Sequence, residues 1–401
     1  MGCYCCASIA GYHLLKELRK KGFQEPITLL DQESTLPYNL YPLSKNWMKD
    51  EDLTKAPLFK GQDFYDENDI TLKLGKLVTE LNYEKSFIKT ADNEKIFYDK
   101  LVLAMGSKLR HLDVKGSDAK GIFYLRNYQN ALNIKRWSRN SHDVLIIGAG
   151  FIGLELASSF NQLGKNVTVV EALEKPLSRI LGDEASSYFV KMHEKKGVKI
   201  ITEKFVTEFI NDEKGNLKAV LTKDGTKINA EMAIIGIGVI PNTTLSHPDL
   251  KVERGIIVDQ YGKTSLSDIY AIGDATVWPY KGKLIHVEHW EHAYNQAKVV
   301  AHNIIKEDSE VYHAIPYFWT DQYEETFEYL GHALSWDKIV KRGDLNSGKF
   351  TLAYLDKDNY PLAVLFANKS EKRADVESFL EKNSKVDEVK FSNLNIPFKE
   401  L

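Results

Sequence analysis

The clearest pattern of apolar and polar positions lies in the segment VLIIGAGFIGLELASSFNQLGKNVTVVEA, residues 144–172. It opens with four apolar residues in a row, which is typical of a strand buried on both faces. The pattern GAGFIG follows at once and opens a mostly apolar helical stretch. A second apolar run, VTVV, ends on Glu171. The segment predicts a strand, a glycine turn, a helix and a second strand, in that order.

The three glycines of this turn, Gly148, Gly150 and Gly153, suit a bound dinucleotide. The first permits the tight turn, the second lets the backbone approach a pyrophosphate, and the third packs the helix against the strand. The helix N-terminus adds N–H donors and a positive dipole. Glu171 can accept both ribose hydroxyls of NAD and repels a 2′-phosphate. A glycine pattern alone also fits a plain turn, but with strands, helix and acid in place the segment predicts an NAD site that prefers NADH.

The same arrangement begins about 142 residues earlier. Residues 6–11 lead into the stretch YHLLKELRKKGF, whose three leucines are spaced for one helix face. The apolar run ITLL then closes on acids at Asp31 and Glu33. Two dinucleotide units in one chain predict two bound dinucleotides.

This first copy departs from the glycine pattern. Cys6 and Ser8 stand where the first two glycines belong, and only Gly11 remains. The preceding strand has at most five residues, so a shortened chain start would leave less pairing at the sheet centre. Because the Cβ of cysteine restricts the backbone at a tight turn, we expect Cys6 to strain the turn and weaken dinucleotide binding.

Two later stretches support the prediction of two nucleotides. The stretch YDKLVLAMGSKL is an apolar strand that ends at Gly106. The stretch GIIVDQYGKTSLSDIYAIGDAT ends in a strand followed by Gly273 and Asp274. An acid directly after a strand can bond a ligand hydroxyl while backbone N–H groups face a phosphate, although a plain turn is the simpler explanation.

Composition and charge narrow the class of protein. The chain has 401 residues, enough for two or three domains of ~150 residues each. A net charge of −3 disfavours a nucleic-acid or membrane-surface partner. We find no apolar run of ~20 residues and no charged start followed by an apolar stretch, so neither a membrane span nor a secretory signal is expected.

The three cysteines are Cys3, Cys5 and Cys6. They can form neither a disulfide framework nor a two-pair zinc site. The start MGCYCC resembles an acylation site only superficially, because the myristoylation pattern requires Ser or Thr where Cys6 stands. We expect a reducing, cytoplasmic compartment.

Taken together, these segments resemble the FAD- and NADH-dependent ferredoxin reductases of oxygenases and cytochromes P450, with the apoptosis-inducing factors as a sister branch. All belong to the pyridine nucleotide-disulfide oxidoreductase superfamily. The stretch LPYNLYPLSKNWM is similar to the family's Pro-Pro-Leu-Ser-Lys segment, with Tyr41 in place of the first proline. The stretch YDKLVLAMGS is similar to its Ala-Thr-Gly hinge, with Met105 for threonine. The stretches AIIGIGVIPNT, DIYAIGDA, VEHWEHAYNQA and IPYFWTDQY match further segments in order.

The resemblance implies an α/β fold like that of glutathione reductase, with two Rossmann-like dinucleotide-binding domains and a C-terminal α/β domain. The FAD-binding domain is expected at 1–107 and again at 240–310. The NAD-binding domain is expected at 108–239 and the C-terminal domain at 311–401.

The resemblance also implies roles for individual residues. Lys45 is expected at the flavin, where a cation near N5 and N1 stabilises the reduced ring, and Glu155 is expected to orient it. Trp290 is expected against the isoalloxazine, and Trp319 between the ring and the surface. The family's usual ribose acid maps to Gln32, so that contact is expected at Asp31 or Glu33. The implied FAD contacts are Ala10, Gly11, Asp31, Glu33, Lys45, Val78, Arg126, Asp274 and Trp290. The implied NAD contacts are Gly148, Gly150, Gly153, Glu171, Arg179 and Gly238.

Simpler explanations exist for the most tempting of these residues. A lysine is ordinarily a solvated surface residue, and an aromatic run such as the one around Trp319 is more often core. The stretch HVEHWEH invites a metal site, but it lacks the His-Glu-x-x-His spacing and the resemblance explains it without metal. Family position favours the functional interpretation of Lys45 and Trp319, and no metal is expected.

The implied activity is transfer of a hydride from NADH to FAD, followed by single electrons to a small [2Fe–2S] ferredoxin, in a monomer or homodimer. Disulfide reductases, NADH peroxidases and NADH oxidases of this architecture carry further cysteines, whereas none follows Cys6 here. A thiol relay is therefore not expected. Two alternatives stay open: an oxidoreductase that uses a quinone, a dye or oxygen, and a redox-sensing interaction protein.

Overall fold

Two five-stranded parallel sheets organise the fold. The computed structural model describes residues 3–6, 9–52 and 55–401. Contacts within the chain divide it into two compact units, which we call the first unit and the second unit. The first unit comprises Met1–Leu40, Ala56–Lys108 and Val239–Pro316, and the second comprises Tyr41–Lys55, Leu109–Gly238 and Tyr317–Leu401.

The first unit is built on a five-stranded parallel sheet. In spatial order its strands are Ile269–Ala271, Lys100–Leu103, Cys3–Cys6, Ile27–Leu30 and Ile70–Lys73. The helix Ile9–Lys20 follows the central strand and packs on the helix Trp290–Ile305. Three leucines of the first helix are fully buried, as their spacing predicts: Leu14, Leu15 and Leu18.

The turn between the central strand and its helix contains residues 7 and 8, which lie outside the described residues. Cys6 is the last residue of the strand and pairs with Leu30 of the neighbouring strand. The expected strain at this turn therefore stays a prediction.

Smaller elements complete the first unit. Two three-stranded sheets consist of Val78–Asn82, Phe87–Thr90 and Lys95–Phe97, and of Ile256–Ile257, Thr276–Tyr280 and Lys283–Ile285. The remaining elements are the helix Gln62–Glu67, the 3₁₀ turn Gly273–Ala275 and the strand Val239–Pro241.

The second unit contains the parallel sheet predicted around residue 145. In spatial order its strands are Lys199–Ile201, Asn166–Val170, Asp143–Ile147, Met232–Ile235 and Ile122–Tyr124. The apolar residues 144–147 are all buried in the central strand. The helix Phe151–Gln162 begins directly after the glycine turn. The predicted order of strand, turn, helix and strand is confirmed.

Further helices and an antiparallel sheet flank this parallel sheet. The sheet consists of Val206–Asn211, Leu217–Thr222 and Lys227–Asn229. The helices are Asn46–Lys49, Tyr128–Ser138 and Ser178–Lys195, and the 3₁₀ turn Tyr41–Ser44 precedes the first of them. Gly182 interrupts the longest helix with a φ of +75°, a conformation that glycine adopts without strain. The chain passes from the first unit to the second within the strand Ser107–Leu109, after Lys108.

The C-terminal part of the second unit is a five-stranded antiparallel sheet with two helices. In spatial order its strands are Tyr317–Gln322, Glu325–Gly331, Pro361–Ala367, Lys349–Leu355 and Lys338–Asp344. The helices are Arg373–Lys382 and Glu388–Ser392, with 3₁₀ turns at Leu345–Ser347 and Phe398–Glu400. The strand Tyr317–Gln322 lies at one edge of the sheet, so one side of its backbone is available to residues outside it.

The fold class predicted from the sequence is confirmed: two Rossmann-like parallel sheets and a C-terminal part of sheet and helices. The residue boundaries of the three expected domains stay a prediction. Within the described residues, no helix is long and apolar enough to cross a membrane.

Candidate functional site

The glycine turn of the second unit has the geometry that its sequence predicts. Gly148 has a φ of +102°, and a Cβ there would collide with the carbonyl oxygen of Gly236. A Cβ on Gly153 would collide with the carbonyl oxygen of Gly148. A Cβ on Gly150 would meet nothing within 4 Å, so this backbone faces open space at the start of the helix Phe151–Gln162. The turn leaves room for a pyrophosphate at Gly150.

Glu171 is tied to this turn by its own carboxylate. The backbone N–H of Ala149 donates to Oε2 at 2.7 Å, and the N–H of Leu173 donates to Oε1 at 2.8 Å. The acid therefore has a fixed position beside the glycines, at the end of the strand Asn166–Val170. The structure brings Glu171 and the three glycines together, and this set fits the NAD that the sequence predicts.

The other two residues expected to contact NAD lie farther along the second unit. Arg179 is an exposed residue of the helix Ser178–Lys195. Gly238 has a φ of +91°, and a Cβ there would lie 3.9 Å from the Arg110 side chain. Their NAD contacts stay predictions.

A buried ion pair joins Lys45 to Glu155 in the second unit. Nζ of Lys45 lies 3.3 Å from Oε1 of Glu155, and the two side chains are 11% and 4% exposed. Glu155 lies on the helix Phe151–Gln162, and Lys45 follows the 3₁₀ turn Tyr41–Ser44. The structure brings together the two residues that the resemblance paired, and their role at a flavin stays a prediction.

The Lys45 ammonium also contacts a second carboxylate and two aromatic rings. Oδ2 of Asp321 lies 3.2 Å from Nζ and also accepts a hydrogen bond from Nε1 of Trp319 at 3.1 Å. The ring centroids of Trp319 and Tyr41 lie 5.2 and 5.8 Å from Nζ. Thr326 donates its hydroxyl to Oδ1 of Asp321 at 2.8 Å. Two carboxylates and two aromatic rings thus contact the Lys45 ammonium.

Glu155 keeps its hydrogen-bonding capacity filled despite its burial. Ser44 donates its hydroxyl to Oε2 at 2.6 Å, and Thr320 donates its hydroxyl to Oε1 at 2.7 Å. Burial raises the pKa of Glu155 above its usual value, while Lys45 and the two hydroxyls act in the opposite direction. The local contacts therefore favour the ionised carboxylate that can pair with Lys45.

Three of these contacting residues were not singled out in the sequence: Ser44, Thr320 and Asp321. Each lies in a segment that matches the ferredoxin reductases, Ser44 in LPYNLYPLSKNWM and the other two in IPYFWTDQY. A small hydroxyl or a single acid carries little signal by itself. Its position next to Lys45 or Trp319 in a matched segment was the available signal.

In the first unit, the helix Ile9–Lys20 begins beside the 3₁₀ turn Gly273–Ala275. Gly273 has a φ of +73°, and a Cβ there would lie 3.3 Å from the Cβ of Ala10. Asp274 accepts a hydrogen bond from the Ser107 hydroxyl on Oδ2 at 3.0 Å. The small residues Ala10 and Gly11 at the helix start, with an acid close by, fit a nucleotide with phosphate and hydroxyl groups.

The acids after the second strand of the first unit are also held in place. The N–H of Glu33 donates to Oδ1 of Asp31 at 2.7 Å, and Tyr38 donates its hydroxyl to Oε2 of Glu33 at 2.8 Å. Both acids are half-buried, whereas Gln32 between them is exposed. The structure leaves both acids as candidates for a ribose contact, as the sequence did.

The remaining residues expected at FAD are spread over both units. The indole of Trp290 stacks on Tyr294 with centroids 5.3 Å apart, and its Nε1 donates to Oδ1 of Asn39 at 3.1 Å. Val78 begins a strand of the first unit, and Arg126 lies in the second unit. Their contacts with FAD stay predictions.

Comparison with known proteins agrees with this geometry. Residues 7–297 match the family model described as pyridine nucleotide-disulphide oxidoreductase, and residues 317–401 match one described as reductase C-terminal. The chain belongs to the pyridine nucleotide-disulphide oxidoreductase family. Members of this family use FAD and NAD(P)H, which the two nucleotide sites of this chain fit.

Three similar proteins show how far this family membership extends. The rhodocoxin reductase of Rhodococcus erythropolis is 34% identical over 346 residues, which cover 86% of this chain and 81% of that protein. The ferredoxin reductase subunit of 5,5'-dehydrodivanillate O-demethylase from a Sphingobium species is 31% identical, covering 99% and 98%. The reductase in the crystal structure of a covalent putidaredoxin reductase–putidaredoxin complex is 28% identical, with a TM-score of 0.93 and coverage of 100% and 97%.

Proposed function

We propose that this protein is an NADH-dependent FAD flavoprotein reductase that passes electrons to a small [2Fe–2S] ferredoxin, as part of an oxygenase system. The observation that best supports this proposal is a complete glycine turn at the start of the helix Phe151–Gln162. The same helix contributes Glu155 to the buried ion pair with Lys45. Two relatives that match 86% and 99% of the chain are a rhodocoxin reductase and a ferredoxin reductase subunit. When bound, FAD supplies the step from a two-electron hydride donor to one-electron acceptors.

The residues of this chain would bind and orient the two nucleotides. Gly148, Gly150 and Gly153 would hold the NAD pyrophosphate, and Glu171 its ribose. Asp274 would hold FAD in the first unit, with Asp31 or Glu33 at its ribose. Lys45 would place a positive charge at the flavin, and Glu155 would keep that charge in position.

The decisive experiment is anaerobic addition of NADH to the purified protein, followed by a test with a [2Fe–2S] ferredoxin and cytochrome c. We expect loss of the visible flavin absorbance and ferredoxin-dependent reduction of cytochrome c. Equal turnover with a quinone alone would favour a general oxidoreductase. A long-lived NADH charge-transfer complex with slow turnover would favour a redox sensor. Either result would contradict the proposal.

The fixed Glu171 carboxylate predicts the choice of electron donor. It repels a 2′-phosphate and offers no donor to it, so kcat/KM should favour NADH over NADPH by more than tenfold, ~1.4 kcal/mol. Glu171→Gln removes the charge and should narrow this ratio. Glu174→Gln, at an exposed neighbour, should leave the ratio unchanged. Comparable kcat/KM values for both donors in the wild type would show that Glu171 does not select the nucleotide.

The absence of cysteine beyond Cys6 predicts that no thiol carries electrons. Changing Cys3, Cys5 and Cys6 together to serine should leave NADH-driven ferredoxin reduction within about threefold of wild type, because no cysteine stands where thiol-dependent enzymes of this architecture place theirs. The measurement is steady-state turnover per bound FAD. Lost turnover in a protein that still holds its flavin would mean that the cysteines take part in electron transfer.

We also propose a cytoplasmic location. The support is the cysteine content, which offers no disulfide framework for an oxidising compartment.

A further inference from the structure

A buried chain of hydrogen bonds leads from the C-terminal sheet to Glu155. Thr320 and Gln322 share one face of the edge strand Tyr317–Gln322 and are 1% and 0% exposed. The hydroxyl of Thr320 donates to Oε1 of Glu155 at 2.7 Å, and Nε2 of Gln322 donates to Oγ1 of Thr320 at 3.1 Å. Behind them, Nε2 of the fully buried His193 lies 2.8 Å from Oε1 of Gln322. These hydrogen bonds thus link the helix Ser178–Lys195 to the helix Phe151–Gln162, which follows the glycine turn.

Chemistry assigns one direction to every bond in this chain. An ionised carboxylate only accepts, so the Thr320 hydroxyl must donate to Glu155 and accept from the amide of Gln322. The carbonyl of Gln322 then faces His193, which must donate from Nε2. A neutral imidazole has only one N–H, which Nε2 uses here. Nδ1 of His193 therefore accepts a hydrogen bond from the Tyr323 hydroxyl at 3.2 Å. No group in the chain can turn without losing a bond.

The charge state of His193 keeps this arrangement fixed. Burial lowers the pKa of His193 to about 4, so its ring stays neutral at ordinary assay pH. A neutral ring with both nitrogens bonded holds the Gln322 amide in one orientation. The amide in turn keeps the Thr320 proton directed at Glu155.

The oxygen of Glu155 that receives Thr320 also contacts Lys45. Oε1 lies 2.7 Å from the Thr320 hydroxyl and 3.3 Å from the Lys45 ammonium. A rotation of the carboxylate would therefore break the bond to Thr320 and displace the partner of Lys45 together. Ser44 holds the other oxygen, Oε2, at 2.6 Å. Thr320 is the contact from the C-terminal sheet that fixes the carboxylate plane.

We propose that Thr320, supported by Gln322 and His193, is a positioning residue for the Lys45–Glu155 pair. The proposal rests on the proposed function, since it assumes that the pair serves the flavin. It assigns the C-terminal sheet a part in setting the position of Lys45, in addition to any role in contacting a protein acceptor.

Thr320→Val tests this proposal because valine keeps the side-chain shape and removes the hydroxyl. The limiting rate of flavin reduction by NADH should fall about tenfold, with the KM for NADH within about twofold. Loss of the Thr320 donor to the ionised carboxylate should also raise the pKa of Glu155. The acid limb of the pH–rate profile should move upward accordingly. Lys45 contacts Glu155 directly, and further titratable or charged groups on the segments packed against its helix or linked to these contacts include Tyr41, Lys49, His193, Asp321 and Tyr323.

Two variants separate positioning from packing. Thr320→Ser keeps the hydroxyl and should restore the rate to within about threefold of wild type. Thr351→Val makes the same change at a fully buried threonine of the same sheet, whose hydroxyl lies 3.0 Å from that of Ser370. It should leave the rate and its pH profile as in wild type. An equal loss of rate in Thr320→Ser, or in Thr351→Val, would overturn the proposal.

A readout independent of turnover is the melting temperature between pH 5 and pH 8. Removing the Thr320 donor raises the folded-state pKa of Glu155 further above its unfolded value. The contribution of Glu155 to the stability of Thr320→Val is then fully present at low pH, and it is lost as the pH rises through the folded-state pKa of this carboxyl group. The melting deficit of Thr320→Val should grow from pH 5 to pH 8, whereas that of Thr351→Val should stay constant. Parallel deficits in the two variants would contradict the proposal.

A variant at Gln322 tests the proposal independently if the Thr320 variants do not fold. Gln322→Met removes the donor to Thr320 at similar side-chain length and should give a smaller shift of the same sign in both pH profiles. An unchanged pH profile in Gln322→Met would contradict the proposal that the hydrogen bond from Gln322 positions Thr320. Failure of the proposed function would be visible separately, because wild-type protein would then transfer no electrons to ferredoxin.

Discussion

Replacing Lys45 with methionine is expected to lower the free energy of unfolding by about 3–5 kcal/mol at pH 8. The change leaves the 4% exposed Glu155 carboxylate without its cation, while Ser44 and Thr320 still donate to it. Burial already raises the pKa of Glu155, and loss of the ammonium must raise it further. We also expect a large loss in the rate of flavin reduction by NADH, because the proposed function assigns this cation to the flavin.

The pH dependence distinguishes this cause from simple loss of packing. A carboxyl group whose folded pKa is raised stabilises the fold below its unfolded pKa and loses that contribution as the pH rises through the folded pKa. The stability deficit of Lys45→Met should therefore be smaller at pH 5.5 than at pH 8, by urea denaturation at both values. Adding Glu155→Gln should recover much of the deficit at pH 8. A double variant less stable than Lys45→Met would rule out an unpaired carboxylate as the cause.

Replacing Arg342 with methionine is expected to destabilise the C-terminal sheet and its two helices by about 3–5 kcal/mol. Arg342 and Glu371 form a buried ion pair at 2.7 Å, with side chains 6% and 12% exposed. The guanidinium also donates to three backbone carbonyls of the C-terminal segment, those of Phe391, Asn393 and Ile396, at 2.7–3.0 Å. Methionine fills similar space but leaves these acceptors and Glu371 without a donor.

The matched control is Lys338→Met, on the same strand as Arg342. Lys338 pairs with Glu388 at the surface, where both side chains are about half exposed, and such pairs contribute ~0–1 kcal/mol. Thermal melting and limited proteolysis should show early release of the C-terminal segment in Arg342→Met alone. Equal melting temperatures for the two variants would mean that the buried arginine contributes no more than a surface lysine.

The parts of the fold that the sequence predicts depend on local patterns. The strand Asp143–Ile147, the helix Phe151–Gln162 and the acid Glu171 were all predictable from a glycine turn between two apolar runs. Two contacts stay within this one segment: a Cβ on Gly153 would meet the carbonyl oxygen of Gly148, and the N–H of Ala149 donates to Glu171. Local chemistry of this kind is visible in a single sequence.

The environment of Glu155 could not be predicted in the same way. Thr320 lies 165 residues from Glu155 in the chain, and Ser44 lies 111 residues from it. Their hydrogen bonds depend on how an edge strand and a 3₁₀ turn pack on one helix, and no pattern in either segment encodes that packing. Family resemblance supplied Lys45 and Glu155 because both stand at positions that the family's segments match. The hydroxyls that hold them have no comparable signal.

The parallel sheet of the first unit has a consequence for synthesis of the chain. Its strand Lys100–Leu103 pairs with Ile269–Ala271, so about 170 residues must be translated between the two. At 5–20 residues per second, a nascent chain exposes that apolar strand edge for roughly 10–30 s. The helix Trp290–Ile305, which packs on Ile9–Lys20, emerges later still. Non-local pairing of this kind slows folding and leaves the strand Lys100–Leu103 open to aggregation during synthesis, where a chaperone would protect it.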